Sequence, residues 1–301
     1  MVKNVKNKVR LYCKDSKNMS DLESGAVNLM ITSPPYFDLK EYNKKDNHPE
    51  QIGSISNYQD YVSNLNAVWK ECVRVLAPDG KMCINIMPLF LSGTETSFKR
   101  RVTKLVITDI EKFMESTGEM FLHALFIWDK RKIVRFSSFG SYPYPPNIFS
   151  TFPFEWIIVF SKKGKRPPVS KEIKEKSKIT VKEWQGWAIN SLWDLAENGK
   201  KSSKKEEQVP GWVTNHLWEM QPAKAKTIGH PAPFPEELPR RLIKLYSFWG
   251  DTVLDPFLGS GTTAIAACKL GRNAVGYEIN PDYIKIAKQK ISLLTPELSV
   301  E

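Results

Sequence analysis

The C-terminal part of the chain alternates strands and helices, and this pattern restricts the fold more than any other feature of the sequence. TVLDPF (252–257) is a candidate strand, and GSGTTAIAACKLG (259–271) is a glycine turn that opens a helix. NAVGYEI (273–279) is a second candidate strand. The helix after it begins with a proline and carries three apolar residues on one face, Ile284, Ala287 and Ile291. Strands joined through a helix lie parallel in one sheet, so the sequence predicts a βαβα unit.

The N-terminal half shows the same alternation. VNLMIT (27–32) is a candidate buried strand, and apolar residues from Tyr58 to Leu76 recur at helical spacing. Pro78-Asp79-Gly80 is expected to turn the chain into the strand KMCINI. Two further apolar runs, FLHALFIW (121–128) and FEWIIVF (154–160), are candidate strands. The alternation predicts the α/β class, with a mostly parallel twisted sheet flanked by helices.

Composition restricts the class of protein further. The chain has 301 residues, 41% of them hydrophobic, which suffices for one large domain with or without a smaller insert. It has no apolar run of about 18 residues and no apolar segment behind its basic N-terminus, so a soluble cytoplasmic protein is expected. The four cysteines and four histidines are scattered, which predicts buried free thiols and no metal site.

An excess of basic residues suits a polyanionic partner. The chain carries 44 Lys and Arg against 33 Asp and Glu, a net charge of +11. Nine basic residues lie between Lys162 and Lys182, and five tryptophans follow: Trp184, Trp187, Trp193, Trp212 and Trp218. Such a mixture favours contacts to phosphates and bases, and a charged face over a small tryptophan core is the alternative. The basic and aromatic segment 129–153 is either a functional loop or a mobile surface loop.

Two consecutive prolines follow the first predicted strand, in the stretch Ser33-Pro34-Pro35-Tyr36. Proline fixes φ, has no backbone N–H and pushes the preceding residue toward an extended conformation. The loop is therefore predicted to be rigid and to present backbone carbonyls, with a hydroxyl on one side and an aromatic ring on the other. Taken alone, the same residues also fit a plain turn.

A second group of residues predicts a nucleoside site. Gly259-Ser260-Gly261 joins a strand to a helix, and Glu278 ends the next strand, where a carboxylate can accept from both hydroxyls of a ribose. Ala264 stands where the dinucleotide motif has glycine or alanine, so NAD is not excluded. Asp255-Pro256-Phe257 adds a carboxylate and an aromatic ring before the turn. This carboxylate favours S-adenosylmethionine over NAD as the ligand. S-adenosylmethionine has an ammonium group, which a carboxylate can pair with, where a dinucleotide has a pyrophosphate.

TSPPY, followed downstream by HPAPFPEELPRRLIKLYS, DTVLDPFLGSGTT and VGYEIN, resembles the amino-methyltransferases of DNA. The order of the motifs is that of the permuted β group, and the resemblance spans about residues 8–162 and 216–293. It implies a Rossmann-like S-adenosylmethionine-dependent methyltransferase fold with a smaller DNA target-recognition insert. The implied domains are a catalytic half (1–162), the insert (163–225) and a cofactor-binding half (226–301).

The resemblance also implies partners and a setting. Double-stranded DNA would be the substrate and S-adenosyl-L-methionine the cofactor. Members of this group are often dimers, so a homodimer is compatible with the resemblance. Functional pairing with a cognate restriction endonuclease is compatible with it too, in a bacterial, archaeal or phage host.

Roles carried over from the family fall on individual positions. Ser33 and the Pro34 carbonyl would accept hydrogen bonds from the target amino group, Pro35 would stiffen the loop, and Tyr36 would stack on the extruded base. Asp255 would lie beside the methionine end of the cofactor, Glu278 on its ribose, and Asp15 near its adenine. The remaining cofactor-binding positions are His230, Pro231, Ala232, Phe234, Pro256, Phe257, Gly259, Ser260, Gly261, Thr262 and Thr263.

Serine at the first position of the catalytic motif, in place of aspartate or asparagine, usually marks methylation of cytosine N4 in this family. Methylation of adenine N6 is the alternative within the class. Two alternatives lie outside it: a NAD-dependent oxidoreductase that uses the glycine turn, and a DNA-binding protein without catalytic activity.

Overall fold

The computed structural model describes residues 7–37, 51–91, 93, 99–130, 143–147, 149, 152–188, 217–221 and 234–294. The strands of this part of the chain are β1 (Val9–Tyr12), β2 (Val27–Thr32), β3 (Leu76–Ile86), β4 (Leu89–Leu91), β5 (Val102–Lys104), β6 (Met120–Asp129), β7 (Phe154–Lys162), β8 (Leu217–Glu219), β9 (Thr252–Asp255) and β10 (Asn273–Tyr277). The α-helices are α1 (Tyr58–Val75), α2 (Val106–Ser116), α3 (Lys171–Lys176), α4 (Val181–Ala188), α5 (Glu237–Tyr246), α6 (Thr262–Lys269) and α7 (Pro281–Leu294), and Ile52–Ser54 forms a 3-10 helix.

Eight strands form one sheet in the order β1-β10-β9-β2-β3-β7-β6-β8. The strands β1, β10, β9, β2 and β3 run parallel, and β8 runs parallel to β6. Strand β7 is antiparallel to both of its neighbours, β3 and β6. The N-terminal end of β7 therefore lies between the C-terminal ends of β3 and β6. The predicted α/β class with a mostly parallel sheet is confirmed.

The predicted elements form, with differences at their ends. Pro78-Asp79-Gly80 lies within β3, whereas the sequence placed it before the strand. Val27 pairs with Leu76 and Leu29 pairs with Lys81, so β3 has extra residues at this point, and Asp79 adopts a φ of 62°. A bulge in the strand thus accommodates the expected turn. Strand β9 ends at Asp255, whereas the predicted strand continued to Phe257. The strand stops there because the next residue, Pro256, has no N–H to donate to a neighbouring strand.

Helices cover both faces of the sheet. On one face, residues of β2 and β3 pack against the buried side of α1, which includes Tyr61, Leu65 and Trp69. On the other face, residues of β2, β3 and β9 pack against α5, α6 and α7. The predicted inner face of α7 is confirmed, because Ile284, Ala287 and Ile291 are all buried. Two apolar layers hold the carboxyl edge of the parallel strands in place.

The segment predicted to be an insert is described only in part. Trp193, Trp212 and the stretch ENGKKSSKKEEQ lie outside the described residues, as does most of the loop predicted at 129–153. Trp187 and Trp218 are buried in the core beside α5, where the Arg241 guanidinium lies over both rings. Trp184 on α4 is 47% exposed. The domain limits stay a prediction, and two of the five tryptophans belong to the core.

The cysteines only partly follow the expectation. Cys72 and Cys83 are buried, whereas Cys268 is partly exposed and Cys13 is exposed, because Cys13 lies beyond the end of β1.

Within the described ranges, no helix is both long and apolar enough to cross a membrane.

Candidate active site

A cleft of about 770 Å³, partly open to solvent, lies beyond the carboxyl ends of β1, β2, β9 and β10. This edge of an open α/β sheet is where ligands usually bind. Residues that follow all four strands line it, together with the 3-10 helix and the start of α7. They are Lys14, Asp15, Ser16, Ser33, Pro34, Pro35, Tyr36, Gln51, Ile52, Gly53, Pro256, Phe257, Glu278, Ile279 and Tyr283.

The loop after β2 places a hydroxyl and a phenol side by side in the cleft wall. The Ser33 Oγ lies 3.3 Å from the Tyr36 hydroxyl, which donates to the Glu155 carboxylate at 3.2 Å. The Tyr61 hydroxyl donates to the Pro35 carbonyl at 2.9 Å. Tyr36 itself is only 6% exposed. The two prolines and these contacts hold the loop in one arrangement, as its sequence predicts.

Asp255 supports the cleft from behind and does not line it. Its Oδ1 accepts from the Thr32 hydroxyl at 2.7 Å and from the Phe257 N–H at 3.0 Å, and its Oδ2 accepts from the Thr263 hydroxyl at 2.6 Å. The side chain is buried, and this burial raises the pKa of Asp255 to about 6. The carboxyl group thus ties the strand before Ser33 to the strand before Phe257 and to α6.

The raised pKa of Asp255 predicts a pH-dependent stability. The ordinary value is 3.8, so the folded state holds a proton more tightly than the unfolded state, and this contribution is lost as pH rises through about 6. The free energy of unfolding of the wild type, relative to Asp255→Asn, should fall by about 2 kcal/mol between pH 4 and pH 7. Denaturant titrations of both proteins at several pH values test this, and parallel pH profiles would contradict it.

Glu278 lies where the sequence predicts, beyond the end of β10, and it holds the glycine turn. Its Oε2 accepts from the Gly259 N–H at 2.8 Å, and its Oε1 accepts from the Asn280 N–H at 2.9 Å. Burial raises the pKa of its carboxyl group. A carboxylate has about four acceptor positions, so acceptor capacity remains for a ligand in the cleft.

Gly261 is required by packing between α6 and α7. It adopts a φ of 87°, and a Cβ atom there would come within 2.9 Å of the Ala287 Cβ. We expect Gly261→Ala to lower the free energy of unfolding by about 2–4 kcal/mol through backbone strain and overpacking. Gly250 has a φ of 83° with open space around the added atom, so Gly250→Ala is a matched control for backbone strain alone. Equal losses in the two variants would show that the contact with Ala287 is unimportant.

The cleft brings together about half of the residues predicted from sequence. Eight line it: Asp15, Ser33, Pro34, Pro35, Tyr36, Pro256, Phe257 and Glu278. Another six surround the turn without lining the cleft: Asp255, Gly259, Ser260, Gly261, Thr262 and Thr263. Phe234 packs against the core beside α5, and His230, Pro231 and Ala232 lie outside the described residues.

Several lining residues were not predicted. Lys14 and Ser16 flank Asp15 just after β1, and Ile279 and Tyr283 follow Glu278, so the strand ends could have indicated them. Gln51 and the 3-10 helix that follows it have no motif in the sequence and do not follow a strand, so nothing in the sequence indicates them. Glu155 has no signal in the sequence either, because 119 residues separate it from Tyr36.

The parallel sheet, the glycine turn at an α-helix N-terminus and the acidic residue after the next strand define an α/β protein with a nucleoside-type site. The chain belongs to the DNA methylase family, whose model matches residues 27–289.

Individual relatives agree with this membership. The type II methyltransferase M.MjaI of Methanocaldococcus jannaschii is 30% identical, over 95% of this chain and 92% of its own length. The type II methyltransferase M.MthZI of Methanothermobacter thermautotrophicus is 29% identical, over 94% of this chain and 76% of its own. The structure of TTHA0409 from Thermus thermophilus, complexed with S-adenosyl-L-methionine, has a TM-score of 0.69 and 27% identity. The match covers 97% of this chain and 99% of that one.

Proposed function

We propose that the protein is a sequence-specific DNA methyltransferase that transfers a methyl group from S-adenosyl-L-methionine to N4 of a flipped cytosine. The observation that carries the proposal is the shared cleft, which the Ser33–Tyr36 loop and Glu278 line together. A methyl donor and an acceptor base must meet in one place, because the transfer is a direct displacement. The NAD alternative gives no role to the Ser33–Tyr36 loop.

The cleft residues fit the cofactor. Glu278 has acceptor positions left for the two ribose hydroxyls, and Phe257, Ile279 and Tyr283 offer apolar surface for an adenine ring. The Gln51 Oε1 is buried and has no donor in the described part of the chain, so a ligand amino or ammonium group can satisfy it. Asp255 contributes indirectly in this account, because its carboxyl group is occupied by protein donors.

The chain's own groups position the acceptor. An aromatic amine is a weak nucleophile because its lone pair is delocalised into the ring. Hydrogen-bond acceptors at Ser33 Oγ and at the Pro34 carbonyl draw on its two N–H groups and bring the nitrogen toward sp³ geometry. Tyr36 holds the flipped base by stacking, which offsets part of the cost of extrusion.

The chemistry needs no strong base from the protein. When bound, S-adenosylmethionine supplies an electrophilic methyl group, and the carbon–sulfur bond breaks with its electron pair staying on sulfur. The nitrogen lone pair forms the new N–C bond. The alkylated nitrogen is very acidic, so its surplus proton leaves to solvent. Positioning and desolvation in the cleft are the main contributions of the chain.

Duplex DNA is the proposed substrate, with residues 163–225 reading its sequence. Basic residues of this segment, such as Lys171, Lys174 and Lys182, and the exposed Trp184 support this role. Trp187 and Trp218 are too deeply buried for base contacts. The type II methyltransferase names of the relatives support a place in restriction-modification, with a cognate endonuclease as a functional partner and a homodimer as one assembly to test.

Sequencing of modified bases tests the proposal in cells. DNA from a methylation-deficient host that expresses the protein should carry a modified cytosine at one recurring sequence motif. DNA from cells with the Ser33→Ala variant is the control and should carry far less. Modification of adenine alone would favour the N6 alternative, and the absence of any modified base would contradict the proposal.

A further inference from the structure

The antiparallel strand β7 brings a buried carboxylate to the proposed catalytic loop. Glu155 is the second residue of β7, only 4% exposed, and it lies between the ends of β3 and β6. Its Oε2 accepts from the Tyr36 hydroxyl and from the Asn85 side-chain amide, and its Oε1 pairs with the Lys130 ammonium. Lys130 in turn lies 4.2 Å from the centre of the Trp128 ring. Three separate segments thus converge on one carboxylate behind Tyr36.

The contacts of Glu155 fix the direction of the hydrogen bonds in the loop. A carboxylate in an ion pair only accepts, so the single proton of the Tyr36 hydroxyl points to Glu155. The contact between Tyr36 and Ser33 then needs its proton from Ser33, and the Tyr36 oxygen is the acceptor there. With its proton directed to Tyr36, the Ser33 oxygen keeps both of its lone pairs as acceptors, and Ser33 lines the cleft.

This direction matters because serine, unlike aspartate, can either donate or accept. A target amino group offers N–H donors, so a Ser33 hydroxyl that pointed its own proton into the cleft would oppose it. We propose that Glu155, held by Lys130 and Asn85, is a positioning residue that acts through Tyr36 to keep Ser33 an acceptor for the target amino group. The inference rests on the proposed methyl transfer, and it explains how serine can serve as the acceptor at this position.

Single-turnover methylation with saturating DNA and cofactor tests the role of Glu155. In Glu155→Gln the amide oxygen is expected to turn to Lys130 and the amide N–H₂ to Tyr36, which reverses the chain of hydrogen bonds. The rate should fall by about 10- to 100-fold, the factor that corresponds to one hydrogen bond to a charged group. Cofactor affinity should stay within about threefold, since Glu155 does not line the cleft.

A double-mutant cycle separates this role from a structural one. Tyr36→Phe removes the hydroxyl that relays the effect and keeps the ring, so Glu155→Gln should cost about twofold or less in that background. Glu71→Gln is the control, because Glu71 is likewise a carboxylate in an ion pair, with Arg74, but it lies away from the cleft. It should leave the rate unchanged. Independent effects of Glu155→Gln and Tyr36→Phe that simply multiply would overturn the inference.

A second measurement keeps the inference testable if Glu155→Gln does not fold. An amide oxygen accepts without help from a neighbour, so Tyr36→Phe should slow the Ser33→Asn protein far less than it slows the wild type. Equal slowing in both proteins would refute the positioning role. A wild type without any methyl transfer to DNA would instead refute the proposed function, so the two failures are distinguishable.

Discussion

Replacing Tyr36 with alanine is expected to lower the single-turnover rate of methyl transfer by about 1,000-fold. The change removes the stacking surface for the flipped base, worth about 1–3 kcal/mol, and it also removes the hydroxyl beside Ser33. The rate should be measured at saturating DNA and cofactor with labelled S-adenosylmethionine.

A fluorescent base analogue at the target position separates the two effects of Tyr36. Tyr36→Phe keeps the ring, so the flipped population should stay near that of the wild type while the rate falls less than in Tyr36→Ala. Tyr36→Ala should lower the flipped population as well. Full turnover by Tyr36→Ala would mean that the loop after β2 is not the catalytic loop.

Replacing Glu278 with alanine is expected to weaken binding of S-adenosylmethionine by about 100-fold, because two hydrogen bonds to a charged acceptor are lost. Calorimetric titration of the cofactor in the absence of DNA measures this directly. Glu278→Gln keeps one oxygen acceptor and should lie between the alanine variant and the wild type.

The control for Glu278 lies nearby on α7. Asp282 is acidic and exposed and does not line the cleft, so Asp282→Ala should bind the cofactor like the wild type. Glu278 also holds the Gly259 N–H, so thermal melting must show that the variant remains folded. Wild-type affinity in folded Glu278→Ala would remove this residue from the cofactor site.

The sequence predicted the six inner strands of the sheet because they contain apolar runs, but it did not predict the edge strands β1 and β8. VNLMIT became β2 with the predicted ends, and the helix that starts at Tyr58 ends within one residue of the prediction. The glycine turn and Glu278 were found because strand, turn and helix follow each other directly in the chain. Features built from residues that are close together in the chain can be predicted from the sequence alone.

Other features depend on contacts between distant segments, which periodicity and spacing do not reveal. Asp255 was predicted beside the cofactor, and its hydrogen bond with Thr32, which is 223 residues away, could not be predicted from spacing. In the sequence, Glu155 is a single polar residue at the start of an apolar strand. It reaches Tyr36 because β7 runs antiparallel to its neighbours. The 3-10 helix at Gln51 reaches the cleft without any motif.

In the proposed function, the Ser33–Tyr36 loop presents an acceptor to the amino group of cytosine. The most direct measurement is nucleoside analysis by mass spectrometry, after purified protein has methylated DNA with isotope-labelled S-adenosylmethionine. We expect labelled N4-methylcytosine from the wild type and at least about 100-fold less from Ser33→Ala. Labelled N6-methyladenine without N4-methylcytosine would contradict the claim.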